Sequence, residues 1–135
     1  MSATPVKPKA RDVGIKAEQQ ALQFLQSQGM KPVQRNYHCR FGEIDLILWD
    51  KDTLVFAEVR YRKHKNFGSG AESIDSRKQQ KLLASAAYYL QQQPKLSRHP
   101  CRFDVVSISG TALNATDADH HNMNIDWIPN AFQAG

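Results

Sequence analysis

Cysteine is scarce in this chain, whose 135 residues include only Cys39 and Cys101. The two lie far apart and form no CxxC motif, which excludes a disulfide framework. Each has a histidine close by in the sequence, His38 and His99, so a zinc site would require their strands to meet. No ligand pair has the spacing of a zinc finger, and we therefore expect two reduced structural thiols.

Long apolar runs are also missing. No segment approaches the ~20 apolar residues that span a bilayer, and the basic residues 1–11 lack the apolar stretch of a secretory signal. We therefore expect no membrane partner and a cytoplasmic location. With 41% apolar and 23% charged residues, the composition is typical of a folded protein. We expect one domain at 11–130, between a flexible basic arm at 1–10 and a flexible tail at 131–135.

Acidic residues are fewer than basic ones, 13 against 18, which gives a formal charge of +5. A basic surface favours phosphate-rich partners, but most charge runs are solvated faces. The position of the charge is more informative than its sum. Basic side chains follow one another in a glycine-bearing loop and in the helix after it, and we interpret them as a nucleic-acid contact: Arg62, Lys63, Lys65, Arg77, Lys78 and Lys81.

Hydrophobic periodicity predicts a helix, three strands, a second helix and a strand. The first helix, at 12–28, carries Ile15, Leu22 and Leu25 on one face, with Glu18 inside that stripe. Val33 is expected to point inward from the first strand. The third strand is apolar on both faces, which is typical of a central strand covered on both sides. The predicted strands lie at 32–40, 43–49, 54–61 and 102–108, the second helix at 76–92, and a last edge strand at 125–128.

Carboxylates occupy two of these neighbouring strands. Glu43 and Asp45 are two residues apart and so share a face, as do Glu58 and Arg60. Buried charges are costly unless they are paired or bind a metal. Oxygen ligands of this kind suit Mg or Mn, which can activate a phosphate, while a cation at position 60 would stabilise developing charge. The alternative is a buried structural network with Arg60 as its counter-ion.

The segments that carry these residues are GEIDLI at 42–47 and VFAEVRYR at 55–62. They resemble motifs II and III of the PD-(D/E)XK nuclease superfamily. More closely, the chain resembles the YraN family of small bacterial proteins, which look like Holliday junction resolvases. The resemblance covers nearly the whole predicted core. It implies an α/β fold with a restriction-endonuclease-like core, in the order α-β-β-β-α-β, with a mixed central sheet flanked by helices.

The resemblance also implies roles for individual residues. Asp45 and Glu58 match the metal-binding acids of motifs II and III, and Glu18 matches a helix glutamate of resolvase-like members. The backbone carbonyl of Val59 would be a further ligand for Mg or Mn. Arg60 stands where the superfamily usually has lysine. Arginine keeps the positive charge but cannot plausibly act as a base.

Two residues of the second helix extend this set. Lys78 is a candidate substitute for the missing lysine, and Gln79, on the face toward the sheet, is a candidate for orienting a water. Glu43 is a second-rank ligand, because it follows a glycine turn and could equally cap that turn or pair with Arg40. For Asp104 we expect a structural pairing with a nearby arginine.

These observations favour a metal-dependent endonuclease that hydrolyses phosphodiester bonds in structured or branched DNA. Arg60 motivates an alternative, a catalytically weak or inactive nucleic-acid-binding module on the same fold. A protein-interaction domain without a nucleic-acid role is a third hypothesis. Resolvase-like proteins often act as dimers on symmetric junctions, so a homodimer is also open.

Overall fold

The computed structural model describes residues 10–62, 74–110 and 124–133. Two α-helices and five strands account for most of them. In chain order they are α1 (Ala10–Ser27), β1 (Lys31–Cys39), β2 (Gly42–Asp50), β3 (Thr53–Arg62), α2 (Ser76–Gln92), β4 (Cys101–Ser109) and β5 (Asn124–Phe132), with a short 3-10 turn at Leu96–Arg98 before β4.

The five strands form one mixed sheet in the spatial order β1-β2-β3-β4-β5. Strands β1, β2 and β3 form an antiparallel meander, β4 runs parallel to β3, and β5 is antiparallel to β4. A parallel neighbour needs a long crossover connection, and α2 lies in that connection. The restriction-endonuclease-like α-β-β-β-α-β core predicted from the sequence is confirmed, and so is the last edge strand, β5, which is longer than predicted.

Each face of the sheet is covered by one helix. On one face α1 packs against β2, β3 and β4, and on the other α2 packs against β1, β2 and β3. Strand β3 contributes Val55 and Ala57 to the first cluster, and Leu54 and Phe56 to the second. The prediction that this strand is central and buried on both faces is therefore confirmed.

Two residues expected to point inward are exposed instead. Ile15 is 45% exposed, because α1 buries the stripe Ala17, Ala21 and Leu25, on which Ile15 does not lie. Val33 is 37% exposed. The register of β1 against β2 shifts between Pro32 and Gln34, which leaves Val33 as the extra residue of a bulge.

The helix and strand ends differ modestly from the predictions. Helix α1 already includes Ala10, and β5 extends to Phe132, which lies within the segment predicted as a tail. Residues 1–9, 63–73, 111–123 and 134–135 lie outside the described residues, and so do most of the predicted arm and basic loop. Within the described ranges, neither helix has the length and apolarity needed to cross a bilayer.

A buried aspartate ties three strands together. Asp104 on β4 is 0% exposed and accepts hydrogen bonds from Arg102 Nε (3.0 Å), Arg102 Nη2 (3.2 Å) and Trp127 Nε1 (3.0 Å). It also accepts one from the backbone N–H of Asn130 at 2.9 Å. Arg102 Nη1 lies 2.8 Å from Asp50 Oδ2 on β2. The expected structural pairing of Asp104 with an arginine is confirmed.

The substitution Asp104→Asn is expected to destabilise the protein by about 3 kcal/mol, since it removes one charge of a buried, hydrogen-bonded pair. The measurement is urea unfolding at pH 7. Asp52→Asn in the exposed β2–β3 turn is the matched control, with an expected change within about 0.5 kcal/mol. Equal effects of the two substitutions would contradict a structural role for Asp104.

Candidate functional site

The site begins where β2 and β3 separate. Their ladder runs from the pair Asp50–Thr53 to the pair Leu46–Ala57, and the next step would pair Asp45 with Glu58. Instead, Asp45 Oδ2 accepts the backbone N–H of Val59 at 2.9 Å. A side-chain carboxylate thus takes the place of a ladder carbonyl. This draws Asp45 and Glu58 to the same point at the end of the paired region.

Both carboxylates are nearly inaccessible, with 8% of Asp45 and 4% of Glu58 exposed. A cation reaches them from α2, where Lys78 Nζ lies 2.6 Å from Glu58 Oε2. The helix start explains how it gets there. Asp75 caps α2 by accepting the backbone N–H of Lys78 at 2.8 Å, which fixes Lys78 in the first helical turn. The structure therefore brings together three of the residues singled out in the sequence.

The electrostatics of the site show that one cation does not balance two acids. Burial and the adjacent charge of Glu58 raise the pKa of Asp45 to about 8, although the amide of Val59 acts to lower it. For Lys78, burial acts to lower the pKa. The hydrogen bond and charge of Glu58, together with the charge of Asp45, outweigh burial, and the pKa is raised. Lys78 is thus protonated and pairs with Glu58, while Asp45 keeps its proton at neutral pH because one ammonium does not stabilise two ionised carboxylates.

Two further acidic residues, Glu18 and Glu43, lie at the rim of the same end of the sheet. Glu18 on α1 is partly buried. Burial and the charge of Glu43 raise its pKa, while Arg35 and a hydrogen bond from Asn36 act to lower it. Glu43 Oε2 pairs with His38 Nδ1 at 3.2 Å, with both side chains exposed. Glu43 therefore has the His38 ring at hydrogen-bonding distance, a partner that the sequence had not indicated.

Glu18 reaches this region from the opposite face to α2. It borders a cavity of about 570 Å³ that is also lined by Asn36, His38 and Glu43. Its charge contributes to the raised pKa of Asp45, so the two acids interact. Ile15 forms part of the same cavity wall. The exposed side chain of Ile15 thus lies in the cavity that leads to Glu18.

Two further residues were expected to take part in catalysis, Arg60 on β3 and Gln79 in the first turn of α2. Arg60 follows Glu58 on the same face of β3 and is half-buried, and its charge acts on Lys78 in the direction of a lower pKa. Gln79 donates a hydrogen bond from Nε2 to the carbonyl of Ile74 at 3.0 Å. Its expected role in orienting a water stays a prediction.

The basic residues are only partly described. Arg62 is the last residue of β3, and Lys63 and Lys65 lie outside the described residues. Arg77 and Lys81 are exposed on α2, next to Lys78. A second cavity, of about 410 Å³, separates this part of α2 from the β1–β2 hairpin. Its lining residues are His38, Cys39, Gly42, Glu43, Lys78, Lys81 and Leu82.

The donor atoms at the site are the hard oxygens that magnesium prefers. Magnesium is usually held by one or two carboxylates and otherwise keeps its waters, and Asp45 and Glu58 provide such a pair. Within the described ranges, no three His, Cys, Asp or Glu side chains come together as a group that could hold a metal ion. In this part of the chain, Glu18 therefore does not join Asp45 and Glu58 in a three-acid group.

Sequence reasoning gave no site role to Asn36 and considered His38 only as a zinc ligand. Asn36 has a positive φ of 52° inside β1, a conformation in which asparagine is enriched. At this point the ladder with β2 omits one pair between Arg35–Leu46 and Tyr37–Ile44. An asparagine interrupting an otherwise regular strand was the available signal. Nothing in the local sequence indicated that His38 would meet Glu43 across the hairpin.

The fold and the site together define a restriction-endonuclease-like α/β protein with a buried acidic pair. The chain matches the model of the family described as "Uncharacterised protein family UPF0102" over residues 17–108. It is 46% identical to a UPF0102 protein of Pseudomonas putida strain GB-1 over 120 residues, 89% of this chain and 92% of the relative. A UPF0102 protein of Stutzerimonas stutzeri is 44% identical over 126 residues, 93% and 98% of the two chains. The chain belongs to this family, the YraN family, as the sequence motifs indicated.

The raised pKa of Asp45 predicts that Asp45→Asn is more stable than the wild type at high pH. Because the native state holds the proton up to about pH 8, while an unfolded aspartate loses it near pH 3.9, stability is lost as pH rises through that interval. Asp45→Asn cannot ionise, yet its side-chain oxygen can still accept the Val59 amide. In chelator at pH 8 this variant is expected to be more stable than the wild type by ~1 kcal/mol or more.

Urea unfolding at pH 5 and at pH 8 checks this difference, which is expected to shrink at the lower pH. Asp104→Asn is the control, because that carboxylate is also buried but is fully hydrogen-bonded, and its loss destabilises the protein. If Asp45→Asn also destabilises the protein at pH 8, the ionisation of Asp45 does not lower the stability of the native state.

Proposed function

We propose that this protein is a metal-dependent endonuclease that hydrolyses phosphodiester bonds in structured or branched DNA. The observation that carries the proposal is the buried pair Asp45 and Glu58, with the Lys78 ammonium 2.6 Å from Glu58. A buried acid whose pKa is strongly raised by burial and by a neighbouring carboxylate is a feature that clusters at functional sites. Their place on a restriction-endonuclease-like core supports the same proposal by analogy of fold.

Asp45, Glu58 and the carbonyl of Val59 would hold Mg or Mn, with Glu18 close to the same point and Glu43 as a second-rank ligand. The bound ion would polarise the phosphoryl group and lower the pKa of a water. The pKa of Asp45 is raised, so its carboxyl group is protonated at neutral pH. A bound divalent cation would favour the ionised carboxylate and displace that proton.

Lys78 and Arg60 would stabilise the negative charge that develops on the phosphate. Arg60 stands where related nucleases usually have lysine, and a planar guanidinium is a poor replacement for a compact ammonium. Lys78 supplies an ammonium from α2 at hydrogen-bonding distance from Glu58. We infer that it takes the part of the missing lysine, with Gln79 orienting the attacking water.

DNA would be gripped by the basic residues that surround this end of α2. Arg77, Lys78 and Lys81 are neighbours on the first turns of the helix, and all three are exposed. Together with Arg62, Lys63 and Lys65 they would contact backbone phosphates, and the affinity would fall with salt. The resemblance to resolvases favours branched DNA as substrate and leaves a homodimer open as the acting form.

A nucleic-acid-binding module with little or no catalysis is the second candidate. The same ion pair favours it, because Lys78 already neutralises one of the two acids and could stand in permanently for a metal ion. Arg60 points in the same direction. The two candidates differ in whether Mg or Mn binds and whether DNA is cut.

Purified protein with Mg or Mn is expected to cleave four-way-junction DNA, and Asp45→Asn and Glu58→Gln to reduce the rate at least ~100-fold. Junction, single-stranded and continuous duplex DNA are compared in a gel assay. Mn is also expected to raise the melting temperature of the wild type but not of Asp45→Asn. Retention of DNA without cleavage or stabilisation by metal would favour the binding module.

Lys78→Met is expected to lower the cleavage rate at saturating DNA by ~100-fold, because it keeps the length of the side chain and removes its charge. Arg77→Met is the matched control on the exposed neighbour. It should weaken binding and reduce its salt dependence without changing the rate at saturation. Equal cleavage rates for the two variants would show that Lys78 takes no part in catalysis.

A separate variant, Arg60→Lys, tests the second candidate function. Cleavage that appears only in this variant would indicate that the wild-type site has lost catalytic activity.

A further inference from the structure

An aromatic and cationic surface lies at the tip of the β1–β2 hairpin. The Phe41 ring is 38% exposed and meets Tyr88 of α2 edge-on, with ring centroids 5.6 Å apart. The guanidinium carbon of Arg40 lies 4.8 Å from the centroid of Phe41 and 5.9 Å from that of Tyr88. We call Arg40, Phe41 and Tyr88 the stacking platform.

The exposure of Phe41 is unusual for this protein. Among the described residues, the other exposed large apolar side chains are Ile15 and Val33. Ile15 borders the cavity of Glu18, and Val33 lies in a bulge. Phe41 alone of the three belongs to an aromatic pair with a cation over its face. Aromatic rings and guanidinium planes of this kind are the surfaces on which unpaired bases stack.

The hairpin tip is held firmly against α2. Gly42 has a φ of 149°, and a Cβ there would lie 3.3 Å from Ser85 Oγ and 3.6 Å from Lys81 Cβ. A larger residue at this position would crowd Ser85 and Lys81, so the backbone of the hairpin tip lies close to α2, and Phe41 packs against Tyr88 of the same helix. The stacking platform is therefore a preformed surface, which lowers the entropic cost of binding.

One cavity lies between the neighbourhood of the stacking platform and Lys78, the partner of Glu58. The cavity of about 410 Å³ extends from Gly42, next to Phe41, to Lys78, and Lys78 contacts Glu58. Lys81 lines the same cavity. Phe41 and Asp45 are four residues apart, about 13 Å along an extended chain. A strand with a phosphate at Asp45 and Glu58 would thus follow two lysines before it reaches the rings.

We propose that the stacking platform binds an unpaired base of the DNA strand held at the acidic pair, which makes DNA with unpaired bases beside the cleavage position the preferred substrate class. This inference rests on the proposed function. In a continuous duplex both faces of each base are already stacked, so the rings can gain nothing there. The platform would therefore favour branched or splayed DNA over a continuous duplex. Phosphate contacts alone would not distinguish the two.

Equilibrium binding in chelator, where no cleavage occurs, tests the inference. The two probes are a splayed duplex carrying 2-aminopurine at its first unpaired position and a continuous duplex of the same sequence. Stacking on the wild-type ring is expected to quench the fluorescence of 2-aminopurine. Phe41→Leu is expected to abolish this quenching and to weaken binding of the splayed probe about tenfold. The same substitution is expected to change binding of the continuous duplex less than about twofold. Phe41→Tyr keeps the ring and is expected to retain both signals, and Val33→Ala controls for loss of an exposed apolar group.

Equal losses on both probes, or no loss on the splayed probe, would overturn the stacking role. Wild-type protein that binds neither probe would overturn it as well, along with the DNA-binding part of the proposed function. Stacking without any cleavage in Mg or Mn would support the inference and overturn only the nuclease proposal. Melting temperatures of all variants show whether a loss of binding comes from misfolding.

Discussion

The confinement of two carboxylates in one buried place is the constraint on which the rest of this structure depends. Asp45 and Glu58 are nearly excluded from water, and two negative charges so placed repel each other. The protein offsets part of this cost with the amide of Val59 and the ammonium of Lys78. The pKa of Asp45 is nevertheless raised to about 8, so the amide and the ammonium do not fully offset the burial and the repulsion.

The architecture produces this arrangement through two features of the backbone. The first is the early end of the β2–β3 ladder after Leu46–Ala57, beyond which the Asp45 carboxylate accepts the amide of Val59. The second is the parallel pairing of β3 with β4. It requires a crossover, and Asp75 caps the start of the crossover helix α2. A cation in its first turn, Lys78, can then reach Glu58.

Two buried aspartates show how the same residue type can serve stability or function. Asp104 has donors from Arg102, Trp127 and Asn130, so its charge is fully used in joining strands. Asp45 has one backbone donor and a like charge beside it. The first arrangement is expected to stabilise the fold, and the second to cost stability in the absence of a metal ion, as functional sites commonly do.

The sequence by itself determined the element order and the covered central strand, because two-residue and helical periodicities are local properties of the chain. It also identified Asp45 and Glu58, since acids in strands apolar enough to be buried demand a partner. Only the tertiary structure decided the partners. Glu43 meets His38, Lys78 meets Glu58, and Phe41 stays exposed above α2, because each depends on which elements become neighbours and at what distance. The exposure of Ile15 and Val33 had the same origin, in the rotation of α1 and a one-residue bulge that periodicity does not encode.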